Sequence, residues 1–435
     1  MPCPTNRSSP HANQFPWLTL LFLVVVFFCV NHDVFYSKLV VDSFNASEEA
    51  IITGVNEGSL ARRIALLALG LFAVISLYRH PGSTRHRING PLGWIVLSFA
   101  AWALMSVVWA EDLALTFRRL VVFAILCTAA EAVARRLSPR HVIFCAFFGT
   151  SFFLSIGVLA EVLLGTFKPL ESGYRFAGTL HPNLQGVNCA FLLLSGVAAA
   201  DVEKRWRKLF CTCAFVGTIF LFLTASRTAL AAACLAVVAY FAAVSSRVTK
   251  IAVTCALIIG CGLLLLPGAA FFQEFKTAMM LGKNVSDITS FNGRRGIWED
   301  CAYYIAKRPI TGYGFGGFWN EAHIAEISTD NNWGVGGAHS AYLDCLLQLG
   351  AIGIIAYFLA LVMAVGYAFR LYGVSRNAAF AFFEVLLLFA LLDGLLESII
   401  ITPTFFMFLC VVAIIQLASE PPPRSPTPRF VHNIQ

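Results

Sequence analysis

The chain has 435 residues, of which 58% are hydrophobic and only 13% charged, whereas soluble domains carry about a quarter charged residues. A chain this apolar has too little polar surface to cover itself in water, so its solvent is largely lipid, and the mean hydropathy of +0.75 agrees. The net charge of +7 is spread over short basic clusters between apolar runs, a pattern that sets membrane topology and argues against nucleic acid as a partner.

The first apolar run, 15–34, has the length of a signal peptide, but only Arg7 and His11 precede it and no small-x-small cleavage site follows. It reads as a retained first span. Further runs near the length of a membrane helix, about 20 apolar residues, fall near 60–78, 91–109, 119–133, 142–164, 184–200, 209–224, 228–244, 251–268, 340–368, 378–396 and 403–418. The expected fold is all-α, a polytopic transmembrane helix bundle of about twelve spans. Residues 1–268 hold helices 1–9, 269–339 a long polar loop, and 340–418 helices 10–12, while 419–435 form a Pro-rich, disordered tail. The run 340–368 exceeds one span, so its start should project beyond the bilayer or lie along it.

Loop charge orients the bundle. With the N-terminus inside, the inside segments hold Arg79, Arg85 and Arg87; Arg135, Arg136 and Arg140; Lys204, Arg205, Arg207 and Lys208; and further pairs toward the C-terminus. They carry about twice the basic residues of the short outside segments, which places both termini in the cytoplasm. Most of the 13 cysteines, Cys127, Cys145, Cys189, Cys255 and Cys410 among them, lie inside apolar runs as small hydrophobes. Cys211 and Cys213 have no partner at zinc spacing. Cys301 and Cys345 are the two that could face an oxidising compartment.

Residues 269–339 form the only long polar stretch, and structured loops of this length are usually functional. It contains the glycine-rich run Gly312-Tyr313-Gly314-Phe315-Gly316-Gly317 and a helical segment from about Gly296 to Lys307. There Ile297, Trp298, Cys301, Ala302 and Ile305 make one apolar stripe of an amphipathic helix, expected on the membrane surface or against the bundle.

Polar groups converge on the outer face from five segments: Arg118 and Arg119; Arg175 with His181 and Asn183; Arg227; Arg294 and Arg295; and His339. Outside arginines often snorkel to headgroups, and Arg62 and Arg63 read that way. Arg227 sits in the tight turn Thr224-Ala225-Ser226-Arg227-Thr228, close to hydrocarbon, where a charge is costly and usually functional. Arginine binds phosphate oxygens in a bidentate fork. A ligand apolar at one end and phosphorylated at the membrane surface is a polyprenyl-pyrophosphate glycan. Transferring its sugar requires a stabilised leaving pyrophosphate, which Arg supplies, and a base for the acceptor hydroxyl, usually His. No Asp-x-Asp pair lies on the outer face, so Arg would stand in for a metal.

Gly293-Arg294, Trp298, Pro309, Gly312, Gly314 and Phe318, followed by His339-Ser340-Ala341-Tyr342-Leu343, Gly350 and Gly353, resemble the motif block of the O-antigen ligase and polymerase superfamily. Gly178-Thr179-Leu180-His181-Pro182-Asn183 is similar to its His-Pro-Asn loop, Ser226-Arg227 to its Ser-Arg turn, and Trp109 to Arg119 to its early segment. Ser340 departs from the pattern, standing where the family usually has Asn. The resemblance implies a metal-independent, inverting glycosyltransferase of the bacterial inner membrane with no cofactor. It implies an undecaprenyl-pyrophosphate oligosaccharide as donor and a glycan or lipid A-core as acceptor, at the periplasmic face. It also implies that His339 is the catalytic base and that Arg227 and Arg294 bind pyrophosphate, with Arg295 adjoining. Arg118, Arg119, Arg175, His181, Asn183, Trp298 and Asp393 follow as secondary candidates. Asp393 and Glu397, four residues apart, read as one helix face able to hold an arginine or orient His339. The alternative class is a flippase or transporter of polyprenyl-linked sugars, which would show charges in mid-span, broken helices and related halves.

Overall fold

The computed structural model describes residues 16–32, 47–79, 90–171, 173–244, 294–398 and 402–420. It is 80% helical without strands, which establishes the all-α class. In chain order the helices are α1 (Trp17–His32), α2 (Glu48–Asn56), α3 (Leu60–Arg79), α4 (Gly90–Met105), α5 (Leu113–Arg136), α6 (Pro139–Leu163) and α7 (Pro182–Val202). There follow α8 (Arg207–Leu223), α9 (Arg227–Val244), α10 (Arg294–Lys307), α11 (Glu321–Asn331), α12 (Ala341–Ser375), α13 (Ala378–Asp393) and α14 (Phe405–Ser419). Every expected span within these residues is a helix. The run 251–268, the loop before Arg294 and the tail beyond 420 lie outside the described residues.

Eight of the described helices are long and apolar enough to cross a membrane, fewer than the expected spans. The difference is length: α1, α13 and α14 have 16, 16 and 15 residues. At a rise of about 1.5 Å per residue they fall short of a hydrocarbon core about 30 Å thick.

The bundle is organised around α7 and α13. In α7, 72% of the most apolar window is buried, against 22% in the windows of α4 and α8, although α7 is the least apolar of the eight. Lipid is as apolar as leucine, so membrane helices associate through close packing, and small residues permit it. Gly196 on α7 would bring an added Cβ to 3.0 Å from the Cβ of Ala214 on α8. In α13, Phe382, Phe383 and Phe389 are fully buried, and Phe389 meets Phe406 of α14 at 5.4 Å between ring centres. Phe215, Phe222, Trp94 and Leu104 on α8 and α4 are exposed and suit lipid contact.

A second apolar core forms a cap at one end. Ile297, Cys301 and Tyr304 of α10, Ile324 and Ile327 of α11, Phe318, Trp319 and Val335 are buried together, with Ile51, Ile52 and Val55 of α2 packed against them. The expected stripe is therefore turned: Tyr304 is buried and Ala302 exposed. The cap, rather than the membrane surface, takes this face of α10. Cys301 and Cys345 are buried free thiols. The cap is strapped to the bundle by the glycine run, whose Gly312, Gly314 and Gly316 adopt φ of 66°, 103° and 67°. Tyr313 N–H donates to Leu347 O at 2.8 Å and Gly314 N–H to Gln348 O at 2.9 Å. To receive this strap α12 breaks at Gly350, with φ 63°, where an added Cβ would lie 2.2 Å from Ile310 O.

Contacts sort the loops into two sets. At the far end Arg140 pairs with Glu203 at 2.9 Å, Arg136 donates to Ser76 at 2.9 Å, and Tyr240 donates to Asp201 at 3.0 Å. At the cap end Arg118 donates to Asn56 O at 3.0 Å and Arg175 to Thr224 O at 3.0 Å. Among the described residues, this division matches the alternation read from charge.

Candidate active site

At the cap end, a line of hydrogen bonds joins segments far apart in sequence. Arg175 Nη2 donates to Asn183 Oδ1 at 2.8 Å. Asn183 Nδ2 donates to Glu397 Oε1 at 2.7 Å. The same oxygen pairs with Arg294 Nη2 at 2.7 Å, with both side chains about nine-tenths buried, and Arg294 Nη1 bonds Leu396 O. Glu397 thus holds Arg294 directly and Arg175 through Asn183.

Each member is set in place locally. Glu161, buried at the end of α6, accepts from the N–H groups of Ala177 and Gly178 at 2.9 and 2.7 Å and from the Tyr174 hydroxyl, which shapes the loop bearing Arg175. His181 caps α7, its Nδ1 accepting from Asn183 N–H at 3.2 Å. Arg175 Nε donates to Thr224 O at 3.0 Å, binding this loop to the turn before Arg227. In that turn Ala225 has φ 50°, and Gly186 of α7 sits so close that an added Cβ would be 2.8 Å from Ser226 Cβ. Arg227 begins α9, where the helix dipole favours anions.

His339 follows Ala338, whose two backbone polar groups are both taken by buried side chains. Trp298 Nε1 donates to Ala338 O at 3.0 Å, and Ala338 N–H donates to Asp344 Oδ1 at 3.2 Å. Asp344 also accepts from Trp319 Nε1 at 2.7 Å and from the Ser398 hydroxyl, so it ties the His339 loop to the residue after Glu397. His339 itself has φ 49°, a left-handed conformation that is uncommon outside glycine and concentrates at functional sites. Ser340, not His339, occupies the cap position of α12, and no side chain caps that helix. The imidazole lies 5.8 Å from the Trp333 ring. Burial, then repulsion from Arg294 and His181, push it down to about 3 from its ordinary 6.5, so it is neutral at pH 7.

Other expected residues are placed differently. Arg295 is exposed and paired with Glu299 at 2.9 Å on the outer side of α10. Arg118 and Arg119 lie on α5, apart from the Arg175–Arg294 line. Asp393 and Glu397 do not share a helix face, because α13 ends at Asp393. Glu397 takes the arginine, and among the described residues neither carboxylate bonds the His339 ring. Asp393 is buried with neither carboxyl oxygen hydrogen-bonded. Glu397, Glu161 and Asp344 are the residues that motif reasoning missed. The first two were legible as charges beside apolar runs, whereas Asp344 is a single acid in the first turn of α12.

The fold and this cluster define a multi-pass membrane protein with a cationic, histidine-bearing site at its capped end. Residues 212–358 match the family described as O-Antigen ligase, which supports the O-antigen ligase and polymerase superfamily for this chain. That match carries Arg227, Arg294 and His339 in one segment, and it points to glycan transfer of the ligase or polymerase type by a glycosyltransferase-like enzyme. No curated protein matches the chain.

Proposed function

We propose that the protein transfers a glycan from a polyprenyl (undecaprenyl) pyrophosphate to an acceptor hydroxyl, without a metal and with inversion, at the periplasmic face of the inner membrane. The observation that carries this reading is the Arg175–Asn183–Glu397–Arg294 line lying beside a neutral His339. Arg294 and Arg175 each spend part of their fork on protein acceptors, which orients the remaining N–H donors toward a diphosphate. Arg227 adds a third guanidinium at a helix N-terminus. His339 takes the proton of the acceptor hydroxyl as that oxygen attacks the anomeric carbon. The bond from that carbon to the pyrophosphate oxygen breaks, and the diphosphate leaves with the electron pair, stabilised by the arginines. Asp393, with both oxygens open, accepts from a sugar hydroxyl.

The test is transfer in vitro by the purified protein, from a polyprenyl-pyrophosphate oligosaccharide to a glycan or lipid A-core acceptor. New glycosidic bonds that form without added metal and disappear in His339→Gln are expected. Transport of the intact donor lipid across a vesicle membrane, with no new bond, would instead identify a flippase.

A further inference from the structure

A second group of arginines gathers at the cap end, between α3 and α5. Arg62 Nε donates to Val30 O at 2.9 Å, so this side chain turns into the bundle and does not snorkel outward. Arg118 Nη1 donates to Asn56 O at 3.0 Å. Arg119 lies between them, close enough to both for direct charge repulsion, and no carboxylate acts on it. Its guanidinium makes no hydrogen bond or ion pair among the described residues, and none of its nitrogen atoms is sealed from solvent. The stem is held rigidly: an added Cβ at Gly316 would lie 2.6 Å from Arg119 Cγ. Gly316 N–H in turn bonds Gln348 Oε1 at 2.8 Å, on the helix that His339 precedes.

Three clustered guanidinium groups repel one another, and one set about two turns below the start of α5 is costly at the edge of hydrocarbon. Such an arrangement is stabilised when an anion occupies it. We propose that Arg62, Arg118 and Arg119 form a second anion site, separate from the Arg175–Arg294 line, that holds the phosphate of a lipid-linked acceptor. The acceptor assignment rests on the glycan-transfer reading. An acceptor is favoured over a bulk headgroup because the central arginine is half-buried and locked by the strap that docks on α12. Headgroups are met by exposed, mobile side chains. Two sites at one end would let donor and acceptor lipids lie in the same leaflet with their phosphates held apart and their glycans meeting at His339.

The experiment is native mass spectrometry of the full chain in detergent, with polyprenyl phosphate as probe, polyprenol as the uncharged control and phosphatidic acid as competitor. The wild type should carry two phosphate-dependent adducts. Arg62→Gln/Arg119→Gln should lose one and keep the other, and the retained adduct shows that the variant is folded. Arg294→Ala should lose the complementary one. Arg119→Lys should keep the second adduct at an affinity about 10-fold lower, since charge remains and the fork does not. Retention of both adducts in Arg62→Gln/Arg119→Gln would overturn the second site. Loss of both would overturn its independence from the first. Displacement of the second adduct by equimolar phosphatidic acid would overturn the acceptor assignment in favour of a general headgroup site. If Arg294→Ala keeps both adducts, the donor reading fails while the second site stands on its own variants.

Discussion

At the scale of single residues, the state of His339 makes a specific kinetic demand. An efficient general base has a pKa near the working pH, yet burial and the charges of Arg294 and His181 push this imidazole down to about 3 in the substrate-free protein. A bound diphosphate would offset that repulsion and raise its basicity. The acid limb of kcat/KM, which reports the free enzyme, should therefore fall well below the ordinary histidine range, and the limb of kcat should lie at higher pH. Coincident limbs near 6.5 would contradict this. The linked effect on folding has a definite sign. The unfolded chain takes up a proton below about 6.5 and the native site does not, so stability is full above 6.5 and declines as pH falls toward 3. Replacing His339 by Ala or Gln should slow single-turnover transfer about 100- to 10,000-fold with donor binding retained. Loss of binding together with rate would make it a pyrophosphate ligand. Arg294 calls for a paired test, because removing it strands Glu397. Breaking a buried ion pair costs about 3–5 kcal/mol, so Arg294→Ala alone should lower Tm as well as activity. Arg294→Ala/Glu397→Gln should recover most of the thermal stability and none of the transfer. Recovery of transfer would remove Arg294 from the chemistry.

At the scale of elements, the His339 loop is held by side chains from α10 and α12 rather than by its own sequence. Asp344 is the common anchor, taking Ala338, Trp319 and Ser398. Asp344→Ala leaves three donors without their acceptor, and each buried unsatisfied group costs about 1–3 kcal/mol. Asp344→Asn keeps one acceptor oxygen and should fold. It should lower kcat with little change in donor KM, since it loosens His339 while Arg294 remains paired. A rise in donor KM with kcat unchanged would show that Asp344 serves the arginine side instead. The stripe of α10 shows how far periodicity reached. Ile297 and Cys301 were found from spacing, but Tyr304 was passed over for Ala302 because the helix meets α11 and α2 rather than a flat membrane. Neither α2 nor α11 was expected. The signals were short-range: Ser47 caps α2 by accepting from Ala50 N–H at 3.3 Å ahead of Glu48 and Glu49, and Asn320 caps α11.

At the scale of the whole molecule, the contacts separate a capped end from a far end, and loop charge assigns the capped end to the outside. Cysteine labelling by a membrane-impermeant reagent, read against the parent protein, should reach Asp330→Cys on α11 and fail at Arg205→Cys until the membrane is opened. The reverse result would invert the topology and move the active site to the cytoplasm. The sequence by itself determined the helical class, the position of nearly every described membrane helix and the identity of the arginines and histidine, because hydropathy and residue chemistry are local properties. Only the tertiary structure decided which of those charges meet. It set Arg294 on Glu397 and turned Arg295 outward to Glu299, although the two arginines are neighbours. It divided the outer arginines between the Arg175–Arg294 line and the Arg119 group, and it broke α12 at Gly350 to seat the strap. The reason is physical: a charge near hydrocarbon is tolerable only where partners from distant segments surround it, and helix packing, not spacing along the chain, brings those partners together.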